Sequence, residues 1–548
     1  MDAAPETNVE WREWGADAFA AAERTGKPLL LSLTVPWSAE CREMDRRTYA
    51  EPHIAANVND GFVPVRANAD RRPRVRERYT MGGFPSTVFL TPAGEILTGA
   101  TFLGPDGFRD ILDAVRKRWD GRGTAAGSVP RSLSNATPPG GTLDDGVERR
   151  MVAQLEAAFD EEFGGWGTDV KFPLAPTVEF ALVRAREQAT RTLEAIRTHL
   201  LDTYGGGFFR YATTRSWGQP RHEKLCDVNA ALVRAFAHAY RYTGETAYRE
   251  AAGSAVEYLT TTLWVDDPPG ADASGGAFAA SQAGGESYYR QGPTDREDAT
   301  APPVDPTPLA DRNGLAVDAL LTLAAYTDDE RARRYATRAR AYLVDELVDG
   351  DGAVRHDPDV GAPTGLLVDQ ARVLDALTTA WSVLGDPGPA RAVADYAVDA
   401  LGTDYGAYRD GPTDGPGLLD RPLYPLDTNA ALAAGLCDLA ALTGEERYRR
   451  RAREAVAAFA AASDRMGVEA AGYATVAARL RRPRAVLVGP PAGSDLHRAA
   501  LRLADHETTV VPETDRAPDG EAALQADGTR RGTAATPPEL ESLLTDSS

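Results

Sequence analysis

Few side chains in this 548-residue chain are of a kind that does chemistry unaided, and they lie far apart. Cys41 follows Pro36 and Trp37 at a point where a charged segment, Ala39 to Tyr49, can open as a helix. A thiolate is a nucleophile, and a helix start favours it. The other cysteines, Cys226 and Cys437, are distant in sequence, and no Cys-x-x-Cys or Cys/His cluster exists. Neither a disulfide framework nor a zinc site is expected. Glu223 with Asp369 or Asp427 would suit a general acid and base, as in glycoside chemistry. His222 would suit a proton shuttle, and Trp166, Phe208 and Tyr211 carry faces that stack on a sugar ring. The bland alternatives are that glycine-aromatic turns only pack helices, and that Lys224 only pairs Glu223. There is no metal signature and no phosphate loop, so no cofactor is expected.

The elements that must position Cys41 read clearly. Leu29 to Leu33 is an apolar run suited to a buried strand, and Phe62 to Val65 is a second. Phe84-Pro85 leads into Ser86 to Leu90, a third strand, and Thr91-Pro92-Ala93-Gly94-Glu95 is a hairpin turn signal. Strand, cysteine-bearing helix start, strand, X-Pro, strand, hairpin: this order resembles the thioredoxin fold.

Trp11, Trp14, Ala18-Phe19 and Lys27-Pro28-Leu29-Leu30-Leu31-Ser32 resemble the start of the YyaL-type thioredoxin domain-containing proteins, the spermatogenesis-associated-protein-20-like family (DUF255). The same resemblance continues in Phe163-Gly164-Gly165-Trp166-Gly167 through Lys171-Phe172-Pro173. It extends to Gly205 through Tyr211, to Pro220-Arg221-His222-Glu223-Lys224-Leu225, and to the segments around Asn313, Asp369-Gln370 and Asp427 to Asn429. It implies a Cys-x-x-Cys whose positions fall here on Ser38 and Cys41. A hydroxyl cannot form a disulfide, so dithiol exchange is excluded at this site. Three readings remain: a redox-dead binding or structural module, a lone Cys41 thiol that forms a mixed disulfide, or a Cys41 that only packs. The resemblance also implies a cis-proline at Pro85 facing the cysteine turn. Trp37, Ser38 and Pro85 would then shape a groove for a protein client or a small thiol.

Asp106 to Trp119 presents one apolar helical face and closes a thioredoxin-like domain over residues 1–120. Residues 121–142 have linker composition. From about Leu143 the pattern turns to long amphipathic helices, with similar helix-turn-helix copies at Ala239, Leu323, Ala380 and Leu439. Glycine beside an aromatic or apolar residue recurs at Gly164, Gly205, Gly275, Gly352, Gly406 and Gly472, implying six helical hairpins. The family's second domain is a six-hairpin toroid, so an all-α (α/α)6 ring, six-hairpin glycosidase-like, is expected over 143–482. The hairpin around Ala181 to Leu201 lacks a clear turn. A small α/β appendage (483–512) and a disordered acidic tail (513–548) are expected to follow. A ring of this kind encloses a cavity in which a sugar could sit, with Arg221, His222, Asn313 and Asn429 among the binding candidates.

A formal net charge of −21 argues against nucleic acid as a partner. Lysine occurs only at Lys27, Lys117, Lys171 and Lys224, the acid-rich, lysine-poor pattern of halophilic cytoplasms. The N-terminus lacks a basic start and an apolar core, and no run of about 18 apolar residues exists. No signal peptide, no membrane contact and a soluble cytoplasmic protein are expected. Two functions fit: a degenerate Ser-x-x-Cys binding or structural module on a helical toroid, or a carbohydrate-active enzyme, epimerase or glycosidase-like, with its site in the ring.

Overall fold

In a computed structural model that describes residues 7–134, 137–271 and 275–546, the chain divides into two units. The first comprises residues 1–137 together with two excursions from later in the chain, 282–305 and 410–423. The second holds the remainder.

The sheet of the first unit is built from β1 (Arg12–Glu13), β2 (Leu29–Thr34), β3 (Val63–Asn68), β4 (Ser86–Leu90) and β5 (Ile96–Ala100), in the order β1-β3-β2-β4-β5. β2 runs parallel to β3, pairing Leu31 with Val65, and antiparallel to β4, pairing Leu31 with Val88. A continuous apolar run suits that central place, because both faces of β2 are covered and nothing along it alternates. One face packs Leu30 and Phe89 against Tyr49, Ile54, Phe62, Phe108 and Leu112. Helix α1 (Ala16–Thr25) precedes β2, α2 (Ala39–Met44) and α3 (Pro52–Gly61) follow it, and α4 (Pro73–Tyr79) follows β3. Helix α5 (Pro105–Arg122) closes the unit. The expected linker is partly structural: Ser128 bridges Ile96, and Ala126 is 2% exposed in the core.

The second unit opens with six helical hairpins, each an outer helix followed by an inner one. The outer helices are α6 (Gly146–Ala158), α8 (Arg186–His199), α10 (Thr246–Thr261), α12 (Glu330–Tyr342), α14 (Ala390–Tyr396) and α16 (Glu446–Ala457). The inner helices are α7 (Ala175–Arg184), α9 (Cys226–Thr243), α11 (Ala310–Thr327), α13 (Leu367–Leu384), α15 (Leu426–Thr443) and α17 (Ala471–Arg481). Each inner helix packs on the next, and α17 returns to α7, so the ring closes. This is an (α/α)6 toroid. The weak hairpin at Ala181 to Leu201 is a break at the single residue Ala185 between α7 and α8.

Five of the six glycine turns make a short antiparallel bridge within a hairpin, in the loop from its outer to its inner helix: Phe159–Trp166, Leu201–Phe208, Trp264–Phe278, Val348–Val354 and Gly402–Tyr408. The sixth does not. Gly472-Tyr473 lies within α17, where Tyr473 donates to the Val456 carbonyl at 2.7 Å.

The tail expected to be disordered is folded through Asp546. β6 (Arg484–Val488), β7 (Thr509–Val511), β8 (Ala522–Ala526) and β9 (Thr529–Ala534) form one sheet in the order β7-β6-β8-β9. Helices α18 (Asp495–Leu503) and α19 (Pro537–Asp546) pack on it. The acidic composition hid two apolar sets, Ala522 with Leu524, and Leu540, Leu543 and Leu544, which share one core with Val486 and Val488. Among the described residues no helix is long and apolar enough to cross a membrane.

Candidate functional site

Ser38 caps α2: its hydroxyl accepts from the Cys41 amide at 3.2 Å and donates to Glu40 at 3.3 Å. A side chain fixed this way serves the helix end, as N-cap serines do. Cys41 is 4% exposed. Burial pushes its thiol pKa up, against hydrogen bonds with Ser38 and Val35 and with Asp45 and Glu40 adding to the rise. Both changes oppose a nucleophilic thiolate. The Phe84-Pro85 bond is cis, as the resemblance implied, and Pro85 is buried. Trp37 is buried too, donating to Asp70 at 2.9 Å.

The protein's own chain lies against the Trp37 side of the expected groove. Within the first unit, the Gly284 amide donates to the Trp37 carbonyl at 3.2 Å. Arg42 donates to the carbonyls of Pro36 (2.8 Å) and Gly284 (3.3 Å). An extended stretch of the first excursion therefore lies on the turn that carries Ser38 and Cys41, and Cys226 and Cys437 are likewise buried and unbridged.

In the ring, most polar candidates prove to be structural. The fourth residue of four inner helices is an amide, and all four do the same work. The side-chain oxygens of Asn229, Asn313 and Asn429 accept from the amides of Phe208 (2.6 Å), Phe278 (2.8 Å) and Tyr408 (2.7 Å). Their nitrogens return to the carbonyls of the same residues and to the helix start. Gln370 does this for Val354 and Gly352. Asn313 and Asn429, expected to bind substrate, spend their amides pinning the bridge turns, because a buried backbone group left unpaired is costly. Asn429→Ala is expected to lower unfolding free energy by about 1–3 kcal/mol, the cost of orphaned buried groups. Alanine at the exposed neighbour Asp427 should cost far less; urea unfolding of both measures it.

Phe208 is fully buried, stacked on Phe236 at 5.3 Å, and Trp166 is buried against Phe159, so neither can offer its face to a sugar. Tyr211 stacks on Phe172 at 4.5 Å. Arg221 is exposed, and half-buried His222 meets the edge of Phe209 at 4.8 Å. Glu223 is buried, and the neighbouring Lys224 Nζ donates to Asp202 at 2.7 Å and to the Gly206 carbonyl at 2.6 Å. Asp369 is wholly buried and bonded to His356 Nδ1 at 2.9 Å, so it is no open acid or base. Asp311, His356 and Asp369 place one donor atom each within 4.8 Å of one another.

Only Asp427 of the three expected carboxylates lines the ring's interior cavity, of about 290 Å³. That cavity runs from the N-terminal ends of inner helices, at Pro176, Asp427 and Glu469, to a floor supplied by the appendage at Ala504, His506 and Thr509. Its middle carries charges that were missed. Arg234 donates to both oxygens of Glu179 at 2.9 Å and to Asp318 at 2.5 Å. Arg479 and Thr509 hold Asp438 at 2.5 and 2.6 Å. These ions are well satisfied. Arg372 and Asp375, one turn apart on α13, meet only at 3.5 Å, and their side chains are 24% and 14% exposed. Burial pushes the Asp375 carboxyl up to about 7, with Arg372 and Arg234 opposing and Asp318 and Asp438 adding. A carboxyl that titrates near neutrality can give and take protons. A sequence signal existed: Arg234, Asp318 and Asp375 are each the ninth residue of their inner helix, a charge in a largely apolar stretch.

The chain is a thioredoxin-like unit together with an (α/α)6 toroid whose axial cavity is lined by charge. Residues 2–136 match the family described as "Protein of unknown function, DUF255" (Thioredox_DsbH), which bears out the resemblance read from the N-terminal motifs. The human spermatogenesis-associated protein 20 is 28% identical over 315 residues, 50% of this chain and 39% of that protein. The chain thus spans about two-fifths of this curated relative's length. A sugar epimerase from a ruminal bacterium has a TM-score of 0.45 at 13% identity, covering 57% of this chain and 84% of its own. The cellobiose 2-epimerase of Spirochaeta thermophila has a TM-score of 0.43 at 17% identity, covering 57% and 83%.

Proposed function

We propose that the thioredoxin-like unit is a redox-inert structural module, and that the protein's ligand is a neutral polyhydroxylated molecule of the carbohydrate class held in the ring cavity. The observation that carries the reading is the Arg372–Asp375 pair. Where Arg234 and Arg479 in the same cavity are each held by short contacts to carboxylates, these two share one long contact. They face a space near the lower end of the volumes typical of small-molecule sites, about 300 Å³. A guanidinium that donates beside a carboxyl that both accepts and donates complements adjacent hydroxyl or carbonyl groups. A bound molecule of that kind leaves neither partner unpaired, which is the condition for a polar group to contribute specificity. The Asp375 carboxyl is also placed to move a proton on such a ligand.

On the thioredoxin side the reading is supported by Ser38 at the attacking position, by the burial of Cys41 and by the chain segment lying on its turn.

The test has two arms. Thermal unfolding in the presence of mono- and disaccharides should reveal a ligand that raises Tm, as any native-state ligand must. That rise should vanish in Arg372→Gln. If no sugar shifts Tm and none is turned over, the ring has another ligand class. Insulin reduction with a dithiol should stay at background; turnover would overturn the inert reading of the first unit.

A further inference from the structure

A second cavity, of about 430 Å³, opens where the turn between α15 and α16 meets the appendage sheet, away from the ring axis. In a chain of net charge −21 its lining is basic: Arg449, Arg484, Arg516 and Arg530 surround it, with Glu446 the acidic residue among them. Glu446 is 71% exposed and already paired with Arg449. Asp515 precedes Arg516 in the chain and is exposed.

The four guanidiniums are fixed in different degrees. Arg516 is tied down, donating to the carbonyls of Ala441 (2.6 Å) and Leu442 (3.0 Å) and to Thr514 (3.2 Å). Gly444, at φ +76°, ends α15 without a side chain, and a Cβ there would stand 3.3 Å from Arg516 Nη1. Arg530 donates to the Arg516 carbonyl at 2.8 Å. Arg484, on β6, has no carboxylate partner among the described residues, and its Nε is buried without a hydrogen-bond acceptor there. A buried donor of a charged group left unpaired is costly, and like charges gathered together are costly as well. Burial and the nearby Arg449 depress Arg516, with Asp515 opposing. An anion with several acceptor oxygens would satisfy this lining.

We propose that this pocket binds a phosphorylated small molecule, whose phosphate oxygens accept from Arg484 and Arg516, with Arg449 and Arg530 neutralising the remaining charge. A planar fork of donors matches two oxygens of one phosphate, and several forks converging from different elements match a tetrahedral dianion better than a single planar carboxylate. The volume leaves room beyond one phosphate, so a phosphate ester or a diphosphate fits better than a simple ion. The concave, enclosed lining set in an acidic chain does not offer the extended basic face that a nucleic acid needs.

Calorimetric titration of the full chain at low salt, with inorganic pyrophosphate, ADP and malonate as probes, tests this. Pyrophosphate and ADP should each bind one site saturably, with affinity falling as salt rises, and malonate should bind at least about tenfold more weakly. Arg484→Gln should weaken both phosphate probes about tenfold or more. Because no side-chain hydrogen bond of Arg484 is present among the described residues, that variant should keep the wild-type Tm without ligand. Arg530→Gln, on an exposed side chain, supplies a second variant and should weaken binding less. No saturable binding, malonate as tight as pyrophosphate, ADP binding without pyrophosphate binding, or an Arg484→Gln affinity equal to wild type would each overturn the assignment.

Discussion

Asp410→Ala is expected to destabilise the first unit by about 3–5 kcal/mol, because it strands two buried guanidiniums. The Asp410 carboxylate, 3% exposed, accepts from Arg74 Nε at 2.9 Å, from Arg78 Nη1 and Nη2 at 2.7 and 3.3 Å, and from the Leu423 amide at 3.1 Å. The Arg78 side chain is fully buried and that of Arg74 is 10% exposed. Both arginines also donate to backbone carbonyls of the second excursion: Arg78 to Leu418 and Arg421, Arg74 to Asp414 and Leu419. Those carbonyls supply partial charge only. Without Asp410 the net positive charge stays in a place water cannot reach. An exposed pair in the same unit, Arg109 with Glu51, sets the contrast: Arg109 is 46% exposed and the pair should be worth no more than about 1 kcal/mol. Denaturant unfolding followed by the near-ultraviolet signal of Trp14 and Trp37 measures both. Added salt should erase the smaller effect and leave the larger one, since buried charges are poorly screened. A loss below about 1 kcal/mol for Asp410→Ala would mean that the excursion is held by its backbone contacts alone.

That excursion marks one edge of what the sequence could reveal. Strand order, the Ser38-x-x-Cys41 turn and the ring of hairpins all rest on local patterns, apolar runs and turn residues that announce themselves within a few positions. Residues 410–423 are rich in glycine, aspartate and proline, and such composition says loop without saying which body the loop packs upon. The same holds for 282–305 and hence for the covering of Cys41. The appended sheet was missed for a related reason: an acidic stretch was judged by its average, while its folding depends on a few apolar residues, Ala522 to Leu524 and Leu540, that are buried. Asn313 and Asn429 failed differently. An amide beside a glycine turn can serve a ligand or the backbone, and residue type alone does not distinguish the two. The periodicity does: an amide at the fourth place of four inner helices is a repeated structural answer to a repeated need, the closing of each bridge turn. Arg234, Asp318 and Asp375 carry the opposite lesson. A charge within an apolar helical stretch must face something polar, and in a closed ring that leaves the axis.

The largest effect within the ring is expected at Asp160, where Asp160→Ala should cost about 3–5 kcal/mol. Its side chain and that of Lys171 are both fully buried, with Lys171 Nζ 3.0 Å from Asp160 Oδ2. Arg215 adds a two-pronged contact at 2.8 and 2.9 Å, and the amides of Glu162 and Phe163 donate at 3.1 and 3.2 Å. Lys171 also closes the turn by donating to the carbonyls of Gly164 and Gly167. The next hairpin repeats the device, with Lys224 joining Asp202 to the Gly206 carbonyl. An aspartate and a lysine thus clamp each of two glycine turns, and removing the anion leaves a buried ammonium with carbonyls only. Burial alone would raise the Asp160 carboxyl, yet the hydrogen bonds from Arg215, Lys171 and the two amides outweigh it and hold it well below the usual carboxylate range. The sign of the pH dependence follows from that depression. An unfolded aspartate takes up its proton near pH 4, before the folded one does, so acid favours the unfolded chain. The stabilisation is complete above pH of about 4 and is lost as pH falls toward the folded value. Asp160→Asn, which keeps the size but not the charge, should therefore differ most from wild type at neutral pH, and the gap should narrow steadily below pH of about 4. Unfolding curves of the two proteins from neutral to acid pH test this directly: a gap that stays constant would show that Asp160 acts through packing rather than charge.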